Sequence, residues 1–189
     1  EAHKVKQATG LNVKYGPVRA TDIKEFLDSG LKATEEMRKV EFKFIDRLIL
    51  TPVEVVYSSK YLIISMLIVF LLSGFQSSIF DLQNLLNYGL KNGTIIFAAF
   101  ASGTIIGPLL LPILPFRSLA LKGIFSGLMV WLILFASLMN GDISLESIAY
   151  LFATLALGSF FTMNFTGATT YTSLSGVQKE MKYAVLGQI

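Results

Sequence analysis

From residue 61 onward the chain carries only nine charged residues and runs in apolar stretches of about 20 residues, which sharply limits what it can fold into. A helix rises 1.5 Å per residue, so one such stretch crosses the roughly 30 Å hydrocarbon layer of a bilayer. The first 60 residues are of another kind, holding eleven of the sixteen Lys and Arg and nine of the thirteen Asp and Glu. The mean hydropathy of +0.60 is therefore an average over two unlike parts. A soluble N-terminal piece followed by membrane helices is the expectation.

Four spans are predicted, at about 61–80, 93–114, 119–139 and 148–170. Residues 184–189 have the character of the start of a fifth. Loop charges set the orientation: Arg117 and Lys122 fall between the second and third spans, Lys179 and Lys182 after the fourth. With the N-terminus and residues 171–189 in the cytoplasm, every basic cluster except Lys91 lies inside, as the positive-inside rule requires. The expected setting is thus multi-pass in a cytoplasmic (inner) membrane, with lipid as the surrounding partner.

Before the spans, Leu11-Asn-Val-Lys-Tyr15 alternates like a short strand and Gly16-Pro17 breaks it. Asp22 and Glu25 have the spacing of a capping box; Ile23, Phe26, Leu27 and Leu31 follow at helical intervals, and Gly30 supplies a stop. This predicts one βα unit. A single unit cannot bury its own apolar face, so it is read as the end of a larger α/β domain. The chain opens at Glu1 without Met, which fits a fragment whose N-terminal portion is missing. Thr51-Pro52-Val53-Glu54 carries a cap, a first-turn proline and a first-turn acid, the signals of a helix start, and the helix is expected to run through Lys60 into the first span. The expected organisation is 1–45 for the end of the soluble domain and its connector, 46–60 for a pre-membrane helix, and 61–189 for the membrane domain.

Several function classes drop out. A net charge of +3 without a basic, aromatic-interleaved stripe excludes a nucleic-acid surface. Without cysteine, these residues hold no disulfide, thiolate metal site or thiol nucleophile, and the lone His3 makes no metal site by itself. No ionisable side chain sits mid-span, which disfavours transport by charge relay. Ala99, Gly103 and Gly107, then Gly123 and Gly127, recur at four-residue intervals and predict close helix packing. Pro108, Pro112 and Pro115 should kink or end the second span, and Trp131 is read as facing lipid or filling the core.

The least ordinary stretch follows the fourth span. Asn164, Thr166, Gly167, Thr169, Thr170, Thr172, Ser173 and Ser175 form a hydroxyl- and glycine-rich run with no charge until Lys179. Such a run can coordinate a polar ligand, line a cavity or dock a soluble domain; equally, its hydroxyls can satisfy carbonyls where a helix unwinds.

Three segments together resemble the corrinoid protein of microbial mercury methylation, the HgcA family. Tyr15-Gly-Pro-Val-Arg-Ala20 with Asp22-Ile23 is similar to the last βα turn of its corrinoid-binding domain. Lys32-Ala-Thr-Glu-Glu-Met-Arg38 and Asp46-Arg-Leu-Ile-Leu-Thr-Pro-Val-Glu54 resemble its connector, and Asn164 to Met181 resembles the segment after its fourth span. The resemblance implies a mainly α, multi-span transmembrane bundle preceded by the last βα unit of an α/β corrinoid-binding domain. It also implies methyl transfer from a cobalt corrinoid of the cobalamin type to Hg(II), with a ferredoxin-like 4Fe-4S partner returning electrons to the cobalt. Carried over by position, Gly16, Pro17, Val18 and Arg19 are the residues expected to approach the corrin, and a tight turn beside a helix start is the plainer alternative. The family's Asn-Val-Trp-Cys-Ala-Ala-Gly-Lys motif is absent, so no catalytic residue is expected here and its cysteine is expected upstream of Glu1. A carrier for a small polar solute or metal, and a purely structural membrane anchor, stay open beside this reading.

Overall fold

A computed structural model describes residues 2–39, 42–75, 79–167 and 174–188, with backbone only at Thr166, Gly167, Leu174 and Ser175. The chain divides into two units, Glu1–Glu41 and Phe42–Ile189. All regular structure among the described residues is helical.

The first unit contains α1 (Ala2–Thr9), a 3-10 turn (Ala20–Asp22), α2 (Ile23–Asp28) and α3 (Glu35–Arg38). The strand expected at residues 11–15 does not form, and with it the βα unit falls away. Leu11 and Tyr15 are 67% and 71% exposed. A strand must pair its backbone with a neighbouring edge, and no other strand lies among the described residues. What holds this unit is the burial of Phe26 and Met37, with the Val18 N–H donating to the Met37 carbonyl at 2.8 Å. Asp22 does not cap α2; its carboxylate accepts the Thr21 hydroxyl at 3.0 Å. Gly30 does stop it: with φ at +71°, it lets the Leu31 N–H turn back to the Phe26 carbonyl at 3.0 Å.

The second unit is a helical bundle. Its long helices are α4 (Phe44–Leu72), α5 (Leu82–Ala101), α7 (Leu119–Leu138) and α8 (Leu145–Gly167). A π turn (Ser102–Ile106) and the short α6 (Gly107–Leu110) extend α5, and α9 (Leu174–Gln188) closes the unit. Four helices are long and apolar enough to cross a membrane. Their outer faces are apolar: on α4, Ile63, Ile64, Leu67, Ile68, Leu71 and Leu72 are all about half exposed or more. In water each would forgo about 1.5–3 kcal/mol of burial.

The boundaries shift from those expected. Thr51-Pro52 does not start a helix, because α4 already begins at Phe44, where the Asp46 carboxylate accepts the Lys43 N–H at 2.9 Å. Thr51 instead bonds back to the Arg47 carbonyl at 2.9 Å, and Pro52 sits in mid-helix. As expected, the pre-membrane helix runs on into the first span as one element. The second span begins at Leu82 and ends at Leu110, short of residue 114. Its prolines act as foreseen. Pro108 has no N–H for the Thr104 carbonyl, and the preceding turn widens so that the Gly107 N–H reaches the Ser102 carbonyl. Residues 184–188, expected to open a fifth span, are helical and continuous with α9.

The glycine stripes fix the centre. A Cβ on Gly158 would stand 2.6 Å from the Gly123 carbonyl oxygen, and one on Gly103 would stand 2.6 Å from the Leu157 carbonyl oxygen. Backbone lies against backbone there, which is how helices gain contact in lipid. Around these crossings the Ser126 hydroxyl donates to the Ser102 carbonyl at 3.0 Å and that of Thr162 to the Gly103 carbonyl at 3.4 Å. Trp131 neither faces lipid alone nor merely fills space: its Nε1 donates to the Ser147 carbonyl at 3.0 Å, tying α7 to the start of α8.

Candidate functional site

The long helices alternate in direction, so the start of α4, the α6–α7 connection and the end of α8 share one end of the bundle. A cluster of Leu111, Leu119, Ala120, Met163, Phe165 and Val177 marks that end, with Phe42, Met181 and Ala184 packed against it. The ring of Phe42 lies 6.3 Å from that of Phe165.

Helix α9 reaches this cluster through Val177, Met181 and Ala184, spaced as one face of a helix. Glu180, one turn along from Val177, is carried to the start of α7. Its carboxylate accepts the Ser118 hydroxyl at 2.7 Å and the Ala120 N–H at 2.6 Å. A carboxylate is well placed there, since the first turn of a helix presents unpaired N–H groups and positive partial charge. Eight residues further on, the Gln188 Nε2 donates to the Ser159 hydroxyl at 2.7 Å.

Between α7, α8 and α9 lies a cleft of about 520 Å³. Leu121, Ile124, Phe152 and Leu155 supply apolar walls, and Glu180 and Gln188 are its main polar groups. The Gln188 Oε1 is buried without a partner, leaving an acceptor unused. An apolar space with a few polar groups suits an amphiphilic ligand or a partner side chain. Nothing in it pairs a nucleophile with a base, and among the described residues no three of His, Cys, Asp and Glu come together.

None of the described residues of the hydroxyl-rich run is among the walls of this cleft. Asn164 is half-buried near the end of α8. Thr166 and Gly167 form its last turn, and Ser175 lies in the first turn of α9. Thr169, Thr170, Thr172 and Ser173 lie outside the described residues.

The other expected group, residues 16–19, sits in the first unit. Arg19 lines a polar cleft of about 230 Å³ with Asp22, Glu25, Glu36 and Lys39. Gly16, Pro17 and Val18 are not among its walls. The nearest atom to a Cβ on Gly16 would be Phe26 Cε1 at 3.9 Å, so no close backbone approach demands glycine there. A small charged cleft does not fit the broad, largely apolar face of a corrin, and residues 16–19 form no cradle for one.

Sequence reasoning missed Glu180, Ser159 and Gln188. The α7 contact of Glu180 is 60 residues distant and that between Ser159 and Gln188 is 29, so no local spacing announced them. No family model, curated protein or solved structure matches this chain.

Proposed function

We propose that this chain is the membrane part of a corrinoid protein of the mercury-methylation family, anchored in the cytoplasmic membrane. In this reading methyl transfer from a cobalt corrinoid to Hg(II) belongs to the longer protein, assisted by a ferredoxin-like 4Fe-4S partner. Residues 42–189 supply the anchor and a platform at one end of the bundle. Residues 16–19 make no corrin cradle, so no step through the cofactor is assigned to them.

One observation carries the proposal beyond the sequence resemblance. The two resembling segments of the second unit, residues 46–54 and 164–181, are far apart in sequence yet belong to the same end of the bundle. There Phe42 lies against Phe165, Val177 joins the cluster and Glu180 caps α7. Segments that mark a family and lie at one end of the bundle support a shared role. The charges favour a cytoplasmic position for that end: among the described residues there, Lys43, Arg47, Arg117, Lys122, Lys179 and Lys182 outnumber Asp46 and Glu180. The opposite end holds Asp81, Asp142 and Glu146 with Lys91.

The test is methylmercury formation from Hg(II) by cells expressing the full reading frame with Thr166, Thr169 and Thr172 changed to Val. Activity should fall at least several-fold while membrane abundance stays constant. Unchanged activity would remove the functional role of the run. A full-length protein that purifies without a corrinoid absorption spectrum would refute the family reading itself.

A further inference from the structure

The cleft between α7, α8 and α9 changes in polarity along the bundle. Glu180 stands at the start of α7, on the Ala120 N–H, and Gln188 meets Ser159, which lies against Gly123. Ala120 and Gly123 are three residues apart, so the two polar groups differ in depth by only about 5 Å. Farther along α8, away from that end, the walls are Leu155 and Phe152, with Ile124 supplied by α7. Leu121 and Phe152 line the cleft from two helices apolar enough to cross a membrane, yet are 45% and 66% exposed. The cleft therefore opens sideways, toward the hydrocarbon layer.

Its polar groups have bonds left to make, and of one kind. The Ser118 hydroxyl and the Ala120 N–H both donate to Glu180 Oε1, which leaves Oε2 as an acceptor. The Gln188 Nε2 is held by Ser159, and its Oε1 is buried with no donor. No Lys, Arg or His is among the described walls. A carboxylate or phosphate head would be repelled by Glu180 and would bring no donor to Gln188. Hydroxyls donate to both, and since a hydroxyl also accepts, it serves the Gln188 amide in either of its two orientations. A volume of about 520 Å³ suits one molecule of drug-like size and is too small for a two-chain phospholipid.

We propose that this cleft binds a neutral single-chain amphiphile with a hydroxylated head, taken from the lipid layer. The head hydroxyls donate to Glu180 Oε2 and Gln188 Oε1, and the chain lies along Ile124, Leu155 and Phe152.

The experiment places the full chain in phosphatidylcholine nanodiscs, whose headgroups carry no hydrogen-bond donor. The probe is 1-oleoylglycerol with a photoreactive diazirine in its chain, and labelled peptides are mapped by mass spectrometry. Labelling should saturate and fall on the segments that hold Ile124, Leu155 and Phe152. Unlabelled 1-oleoylglycerol should compete. Methyl oleate, with the same chain and no donor, and oleate, with a negative head, should each compete at least about tenfold less well, the worth of two hydrogen bonds. Gln188→Leu should raise the apparent Kd roughly fivefold, the worth of one. Ala156→Leu, which fills the cleft from α8, should abolish saturable labelling. Lys182→Gln, exposed and outside the walls, should label as the wild type does. Competition on the wild type decides the matter even where a variant does not fold. Methyl oleate or oleate competing as well as 1-oleoylglycerol overturns the proposal, as does unchanged affinity in a folded Gln188→Leu. Labelling that never saturates, the result expected if a partner protein's side chain fills the cleft, overturns it too.

Discussion

Gly123→Ala and Gly93→Ala make the same chemical change in two membrane helices, and the structure assigns them opposite signs. On α7, a Cβ at Gly123 would stand 2.5 Å from Ser159 Cα and overlap the Gly158 carbonyl. Carbon atoms pack best at about 3.5–4.0 Å, so α7 and α8 must part by about 1 Å. A gap of that size forfeits about a quarter to a half of the dispersion energy of each opened contact. Overpacking of this kind costs about 1–3 kcal/mol, against a gain of up to about 1 kcal/mol from alanine's better helix propensity. Gly123→Ala should therefore destabilise by about 1–2 kcal/mol. At Gly93 the nearest atom to an added Cβ is the flexible Met66 Cε at 3.8 Å, an ordinary contact. Only the propensity gain applies, and Gly93→Ala should stabilise by up to about 1 kcal/mol. Gly127 meets the Thr154 backbone on the same α7–α8 interface. The Gly123→Ala/Gly127→Ala double variant should then cost less than the sum of the singles, because one separation relieves both clashes. Denaturation in mixed detergent micelles reads all four, with Trp131 as probe: it is the only tryptophan and bridges α7 to Ser147. A Gly123→Ala protein as stable as the wild type, or equal losses at 93 and 123, would refute the close-contact argument.

Two polar contacts give further tests. Glu180→Ala removes the acceptor from the first turn of α7 and should cost about 1–2 kcal/mol, as losing a helix cap does. Hydrogen exchange should rise at the Ala120 and Leu121 amides and along α9 together; protection unchanged in α9 would mean Glu180 does not hold it. Asn92 and Ser73, 8% and 4% exposed, are joined by a 2.9 Å bond from the Asn92 Nδ2 to the Ser73 hydroxyl oxygen. Ser73→Ala leaves that buried amide without its acceptor and should cost about 1–3 kcal/mol, whereas Ser73→Ala with Asn92→Leu should come close to the wild type. A double variant worse than Ser73→Ala would show that the pair contributes net stability.

The membrane architecture was legible because its signal is summed over about 20 residues at a time and depends on no partner. Glycine spacing on α5 and α7 was legible for a similar reason: lipid offers no hydrophobic drive between helices, so close contact needs small residues at regular steps. The errors share one cause. Alternation at Leu11, Val13 and Tyr15 states which faces a strand would have, and says nothing of whether an edge is there to pair with. Thr51-Pro52 has the chemistry of a helix start, but Asp46 had already supplied a start one turn after Lys43, and a longer apolar helix carries the proline through. Of the candidate site, residues 164–175 were visible as an unusual composition. Glu180 was not, because its value lies entirely in meeting Ser118 and Ala120.

The arrangement of charge at the end of the bundle follows from that use of Glu180. Two carboxylates, Asp46 and Glu180, are committed to backbone N–H groups at the starts of α4 and α7. A helix start is where a carboxylate does most good, because it satisfies donors and opposes the dipole at once. Each carboxylate spent there is one that does not neutralise a cation. Arg47 and Lys122, buried in the same two first turns, consequently keep their charges with only carbonyl oxygens as acceptors. Had the acids served the cations, the two helix starts would have lost their caps. The surplus positive charge is thus a result of how the helices begin.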